Sequence, residues 1–452
     1  LSKDNQSYWL KSGFYTMLER FGVVALSLGG VMILARYWDQ DTFGTWVVFL
    51  AITNIIEVSR MGLLMNGLIK YLTDKPKEAG VITTASLTMN IALTGIVSVL
   101  LLGLAYLTAW LMSEPVLIPM LLFYILTTIA LIPFFQFNFI QQANLDFRGF
   151  SFSNIMKQGV LFAFIAYMYF TGGEIPLMSL VVVQLVAAIL AGLTSYAFGK
   201  KYLSFSKTID WSWVKRLYDY GKFAFGTNLS TMLYKSIDKL MLGAMLGTSF
   251  SGIYENAIKV NQMAEIPTQS IANLLFPQSA RKANEGKAGV KLLYEKAVGA
   301  ILAVLIPSIL FVLIFADWIV FFLFGEKYAE SGNLLRITIL YGLFIPYAVQ
   351  FGTVIDSMGE PKVNFKFTLL SMALNVIFNL TFIYWLGLYG AAYGTLLTYI
   401  VTFLLMQNLL RKKLNVNALT PIKYAFDFYK KTGKVLSHFI KTREVRLDLL
   451  QD

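Results

Sequence analysis

The apolar residues of this chain arrive in blocks of about 20, the length a helix needs to cross a bilayer core, and that pattern constrains the fold more than any other feature. Reading the blocks and the breakers between them gives twelve spans: 15–35, 44–60, 82–111, 116–141, 152–170, 176–198, 222–246, 252–277, 292–315, 334–354, 363–385 and 389–409. Composition agrees, with 57% hydrophobic and 14% charged residues, whereas soluble domains carry about 25% charged. The expected fold class is an all-α membrane protein of about 12 transmembrane helices. The first residues show no short cleavable signal-peptide pattern.

A net charge of +12 would suggest nucleic acid if the basic residues formed one patch. They do not. Lys3, Lys11, Lys70, Lys75, Lys77, Arg148, Lys200, Lys201, Lys207, Lys215, Arg216, Arg281, Lys282, Lys287, Lys291, Lys362 and Lys366 fall at the N-terminus and on every second loop. The alternate loops hold Arg36 and Lys327 beside Asp39, Asp41, Glu114, Glu174, Glu326 and Glu330. That asymmetry is the positive-inside pattern; it predicts cytoplasmic termini and leaves nucleic acid no part as a partner. Zero cysteines exclude disulfides and thiolate metal sites, and the one histidine, His438, lies in the polar tail. No metal or cofactor is expected.

The halves repeat. Phe43-Gly44-Thr45-Trp46 after the first span is echoed by Ser251-Gly252-Ile253-Tyr254 after the seventh, and Asp146, Gly149 and Asn154 recur as Asp356, Gly359 and Asn364. Six spans per half predicts a parallel structural repeat with the substrate between the halves. The halves are read as lobes at 1–199 and 221–410, joined by a basic connector at 200–220 and followed by a basic amphipathic tail at 411–452. In the tail Phe426, Tyr429, Leu436, Phe439 and Ile440 recur near helical spacing among lysines, as in a helix lying on the anionic inner leaflet; docking on a soluble partner is the alternative.

Charges inside spans are costly, about 2.5–3.5 kcal/mol each at mid-bilayer, so they pair or line a wet cavity. The seventh span places Asn228, Thr231, Lys235 and Asp238 on one face. The eighth carries Glu255, Lys259, Gln262, Glu265, Gln269 and Asn273 along nearly its whole length. The second adds Thr53, Glu57 and Arg60, and the first Glu19 and Arg20. Lys235–Asp238, Lys259–Glu255 and Arg60–Glu57 are within helical reach of each other as structural pairs. Pairing does not account for six polar residues on one line, so the eighth-span stripe reads as a cavity lining. Lys157, Lys222, Lys296 and Arg336 are expected to snorkel from span ends.

Asp219-Tyr220-Gly221-Lys222-Phe223, Ser236-Ile237-Asp238-Lys239-Leu240-Met241-Leu242-Gly243, Phe324-Gly325-Glu326-Lys327-Tyr328, Ser357-Met358-Gly359-Glu360-Pro361-Lys362 and Leu388-Tyr389-Gly390-Ala391-Ala392 stand in order along the chain. With Ala35-Arg36-Tyr37, Phe43-Gly44, Asn375 and Asn379, this pattern resembles the bacterial polysaccharide-transporter flippases, including the Wzx type, of the multidrug/oligosaccharidyl-lipid/polysaccharide exporter superfamily. One departure is Arg60, just before Gly62, where the family more often has an acid.

The resemblance implies two six-helix lobes around a central cavity and alternating access in a bacterial inner membrane, with undecaprenyl-pyrophosphate-linked oligosaccharide as substrate, in contact with membrane lipids and beside the polymerase and glycosyltransferases of the same pathway. On that expectation Arg20, Arg60, Lys235 and Lys259 receive the pyrophosphate, and Gln262, Gln269 and Asn273 face the glycan. Glu19, Glu57, Asp238, Glu255 and Glu265 trade partners with these cations or carry a coupling H⁺ or Na⁺. A multidrug extruder of the same superfamily would favour an acid-dominated cavity. A membrane-embedded glycan polymerase or ligase would carry a large outer loop.

Overall fold

Long apolar runs become long helices, and short polar residues set where each begins. Asp39 accepts from the Thr42 amide (2.8 Å) to start α2 (Gln40–Asp74), Asp146 caps α5 (Phe147–Thr171), and Asp210 accepts from the Ser212 amide (2.8 Å) to start α7 (Trp211–Met245). Left-handed residues end others: Ser113 after α3 (Ala79–Met112), Gly172 after α5 and Asn415 after α13 (Leu388–Leu414). The computed structural model describes residues 3–283 and 286–430, leaving out the side chains of 3–14, 16, 264, 273 and 277. The remaining helices are α1 (Lys3–Tyr37), α4 (Leu117–Ala143), α6 (Leu177–Gly199), α8 (Thr248–Ala283), α9 (Lys287–Phe324), α10 (Glu330–Thr338), α11 (Ile345–Ser357) and α12 (Pro361–Leu386). No strand occurs among the described residues.

Among the described residues nine stretches are long and apolar enough to cross a membrane, α10 and α11 counting as one. Helices α5, α7 and α8 have the length, at 25, 35 and 36 residues, and fall short in apolarity because of the polar faces they carry. Together these account for the twelve predicted spans. The tenth is the exception in form: 334–354 is not one helix but α10, a 3₁₀ turn (Ile339–Leu343) and α11. Pro346, in the first turn of α11, lacks the N–H that a continuous helix would need. The repeat is plain in the helix starts: Gln40 and Thr248, then Ala79 and Lys287, each pair 208 residues apart.

The described residues group into two compact units, Leu1–Gly252 and Ile253–Asp452. In the first, α1 packs on α5, α5 on α6, α6 on α4 and α4 on α3, and α2, α3, α4, α6 and α7 share a core that includes Leu64, Leu68, Ile82, Phe134 and Phe139. Helix α7 runs antiparallel along α2 from the Tyr71–Trp213 ring contact (5.3 Å) to the approach of Gly243 to Val48, beyond which Gly44 meets Thr248 at the start of α8. The lobe boundary expected at 200–220 follows the repeat; the compact units part later because of this α2–α7 seam. Glycine permits the approach, since a Cβ on Gly221 would stand 2.0 Å from the Leu63 carbonyl oxygen.

In the second unit α9 packs on α10 and α11, and α12 on α13, where Asn375 and Asn379 both donate to the Thr395 hydroxyl (3.0 and 3.2 Å). Residues 420–430 form a further helix seated on α9, with Pro421 and Tyr424 against Gly299, Ala425 buried and the Tyr429 hydroxyl donating to Ala303 O. The expected tail helix thus begins as a strut on the second unit; its continuation from residue 431, with Leu436, His438, Phe439 and Ile440, lies outside the described residues. Exposed Trp110, Phe170, Trp318, Tyr384 and Trp385 sit at helix ends opposite the basic loops, as interface residues do.

Candidate functional site

Glu57 and Arg60, one turn apart on α2, turn to different partners rather than to each other. Glu57 accepts from the Lys157 ammonium of α5 (2.5 Å) and from the Tyr124 hydroxyl of α4. Arg60 is buried: Nε (3.0 Å) and Nη2 (2.6 Å) donate to Asn90 Oδ1 of α3, Nη1 donates to Thr128 O (2.9 Å), and the guanidinium lies 5.2 Å from the centre of the Phe135 ring. Every element packed against α2 on this side supplies a bond. Charge pairing and hydrogen bonding together are what make buried ions tolerable in a membrane.

This network contains one residue that sequence reasoning placed wrongly and two that it passed over. Lys157 does not snorkel from a span end; it stands ten residues, or about 15 Å, into α5 and is spent on Glu57. That depth is the signal that would have found it. Tyr124 and Asn90 look like ordinary polar punctuation in apolar helices, and only the packing shows what they hold.

The other predicted residues are distributed as follows. On α1, Glu19 is half-buried and Arg20 exposed. On α7, Lys235 is exposed, while Asp238 is buried and its carboxylate accepts from the Lys239 amide (2.9 Å). On α8, Lys259 lies 3.6 Å from Glu255 and 3.4 Å from the Gln262 amide oxygen, so the i,i+4 pair expected there is present. Gln262 and Gln269 are exposed within the middle third of that helix, and Glu265 is half-buried beside them. The side chain of Asn273 lies outside the described residues. Two further α8 amides, Asn256 and Asn261, are buried with neither end hydrogen-bonded among the described residues.

Outside the spans, Asp146 gathers Arg148 (3.1 Å), Lys201 (2.9 Å) and the Tyr202 hydroxyl (3.1 Å) at the α4–α5 corner. Burial raises its carboxyl pKa, but those bonds outweigh burial and hold it at about 2. An apolar groove between α5 and α6, lined by Ile155, Met156, Val160 and Phe198, suits lipid chains and contains none of the charged residues above.

These features define a class: a polytopic all-α membrane protein whose helices carry charged and amide side chains at mid-span. The chain belongs to the polysaccharide biosynthesis protein family, whose model matches residues 33–333. It is 25% identical over 224 residues to the probable low-salt glycan biosynthesis flippase Agl15 of Haloferax volcanii, covering 49% of this chain and 48% of that protein. The chain therefore spans about half the length of this relative. It is 21% identical over 389 residues to the lipopolysaccharide biosynthesis protein WzxC of Escherichia coli K12, covering 85% and 77%. Among solved structures, an inward-facing multidrug resistance MATE family transporter of the MOP superfamily matches with a TM-score of 0.78 at 13% identity, covering 87% of this chain and 94% of that one. The lipid II flippase MurJ in an inward closed conformation matches with a TM-score of 0.76 at 12% identity, covering 94% and 92%. At such identities the structural likeness establishes the fold.

Proposed function

We propose that this protein is a flippase, not an enzyme, that moves a lipid-linked oligosaccharide from the cytoplasmic to the outer leaflet by alternating access. The finer reading is an undecaprenyl-pyrophosphate carrier in a bacterial inner membrane with both termini cytoplasmic. The observation that carries the proposal is the face of α8: Gln262 and Gln269 lie exposed in the middle third of a helix of spanning length, with Lys259 half-buried about one turn before Gln262. Lipid would not tolerate that face, whereas a water-filled passage for a glycan requires one. Family membership and the naming of Agl15 as a probable flippase support it.

In this reading Lys235 and Lys259 receive the pyrophosphate, and Gln262, Gln269 and Asn273 the sugars. Glu255 restrains Lys259 and Asp238 restrains Lys235 between transport events, and Asp238 and Glu265 trade partners with these cations or carry an H⁺ or Na⁺. Arg60 is given a structural part, because its guanidinium is committed to Asn90 and Thr128. A multidrug extruder fits less well, since it would favour an acid-dominated cavity and here Lys235 and Lys259 balance acids such as Asp238 and Glu255.

The test is the Lys235→Ala/Lys259→Ala variant. Each lost charge-assisted bond is worth about 1.5–3 kcal/mol, so each lysine should cost roughly ten- to a hundredfold in headgroup affinity. Protein abundance and topology should persist while surface glycan disappears and lipid-linked precursor accumulates inside. Export at the wild-type level by this variant would refute the assignment.

A further inference from the structure

At the basic-loop end of the α2–α7 seam, three aromatic rings pack on one another: Tyr71 meets Trp213 at 5.3 Å and Tyr220 at 5.9 Å, both edge-on. Trp213 is buried, and its indole N–H donates to Glu78 (3.0 Å). Three cations sit over these rings. Lys70 lies 4.6 Å from the Tyr220 centroid and 5.8 Å from that of Tyr71. Arg216 and Lys75 lie 4.7 and 5.2 Å from that of Trp213.

Of the acids nearby, Glu78 holds Lys75 (3.3 Å) and the indole, Asp219 holds Lys222 (2.7 Å), Asp210 accepts from the Ser212 amide (2.8 Å) and feels the charge of Arg216, and exposed Asp74 makes no ion pair with Lys70. Lys70 and Arg216 make no ion pair among the described residues, and both are exposed. A ring face attracts a cation without neutralising it, and leaves its outer N–H groups free. Lysines that merely snorkel sample many rotamers. These two cations are instead held by rigid rings at the headgroup level, which lowers the ordering cost of binding an anion.

We propose that this cluster is a binding site for a phosphate-bearing lipid headgroup, with Lys70 and Arg216 as the anion ligands and Tyr71, Trp213 and Tyr220 as the platform that fixes them. Two lipids supply that chemistry: a polyprenyl pyrophosphate or an anionic phospholipid. The site lies on the first unit alone and does not depend on the transport reading.

The test is native mass spectrometry of the full chain in nanodiscs, titrated with geranylgeranyl pyrophosphate in one arm and phosphatidylglycerol in the other. In the Lys70→Gln/Arg216→Gln variant the apparent Kd for one of the two probes should rise about tenfold or more. The probe that responds identifies the source. Lys207→Gln/Lys287→Gln removes the same charge from exposed lysines that stack on none of these rings, and its Kd should change less than about twofold. Tyr220→Leu keeps every charge yet should weaken binding severalfold, and Lys70→Arg/Arg216→Lys should restore it. Equal weakening in the two Gln variants, or none in either, would overturn the site. If export is lost in Lys235→Ala/Lys259→Ala while Lys70→Gln/Arg216→Gln binds both probes like wild type, this site falls and the transport reading stands.

Discussion

Replacing Gly221 with alanine tests the α2–α7 seam directly. The new Cβ would lie 2.0 Å from the Leu63 carbonyl oxygen and 2.9 Å from its carbon, and on Gly44 it would lie 1.8 Å from Thr248 O. Both obstacles are backbone, so no rotamer change relieves them; the helices must part by about 1 Å locally. A gap of that size forfeits a quarter to a half of the dispersion attraction at each lining contact. Overpacking of this kind costs about 1–3 kcal/mol, against a helix-propensity gain of up to about 1 kcal/mol on leaving glycine. Two internal controls fix the scale. At Gly67 the nearest atom is the Leu217 methyl at 3.3 Å, which can move, and at Gly95 nothing lies within 4 Å. Melting in one detergent, followed by size-exclusion recovery, should rank Gly95→Ala at or above wild type and Gly67→Ala near it. Gly221→Ala and Gly44→Ala should fall clearly below. Gly221→Ala melting together with Gly95→Ala would refute the seam.

Glu57→Gln or Lys157→Met alone should cost about 3 kcal/mol less a discount for partial exposure, and the double variant should recover much of it. A double-mutant cycle in SDS unfolding should give a coupling of roughly 1–3 kcal/mol, and a value near zero would mean the pair is incidental. Folding lowers the Asp146 pKa from the ordinary carboxylate range, so its stabilisation is complete above about pH 4 and is lost as pH falls towards about 2. Asp146→Asn should flatten the melting profile in that window, and an unchanged slope would remove Asp146 from the account. Asn256→Leu removes a buried amide with neither end bonded, and should raise stability by about 1–3 kcal/mol; a fall would reveal a partner supplied in another state. Single cysteines at Lys77, Lys207 and Lys412 should label only from the cytoplasm and those at Asp41, Glu174 and Lys327 only from outside, and outside labelling at Lys207 would break the topology.

The architecture was legible because lipid leaves few choices. Span-length apolar runs gave the helices, whereas the Asp146 and Asp356 echoes stand in different settings: Asp146 caps α5, and Asp356 lies in the last turn of α11 and accepts from Asn364 of α12 (2.8 Å). The break between α10 and α11 was written in Gly342 and Pro346, but hydropathy averages over both. The charge partners were less legible. Helical spacing offers Arg60 to Glu57, yet α3, α4 and α5 bring better partners to each, and those come from residues 30 to 100 positions away in the chain. Spacing along one helix reports which residues share a face. It does not report what that face meets.

The intramembrane charges therefore divide by how their cost is met. Glu57, Arg60 and Lys157 have partners on neighbouring helices of one unit, which makes them part of its framework. To take part in transport they would first have to break bonds worth several kcal/mol in total, at least as much as a headgroup contact returns. Lys259 is placed differently. Its partner is the i+4-related Glu255 at 3.6 Å, a pair formed within one helix that can open without separating any two helices. Gln262 beside it, and Gln269 further along the helix, are exposed outright. A pyrophosphate can displace a loose intrahelical partner far more cheaply than it can dismantle the Arg60 network. If headgroup binding follows that gradient, a soluble pyrophosphate analogue should protect a cysteine at Gln262 from labelling and leave one at Thr128 unaffected. Protection at Thr128 with none at Gln262 would show that the framework charges are the ones that open.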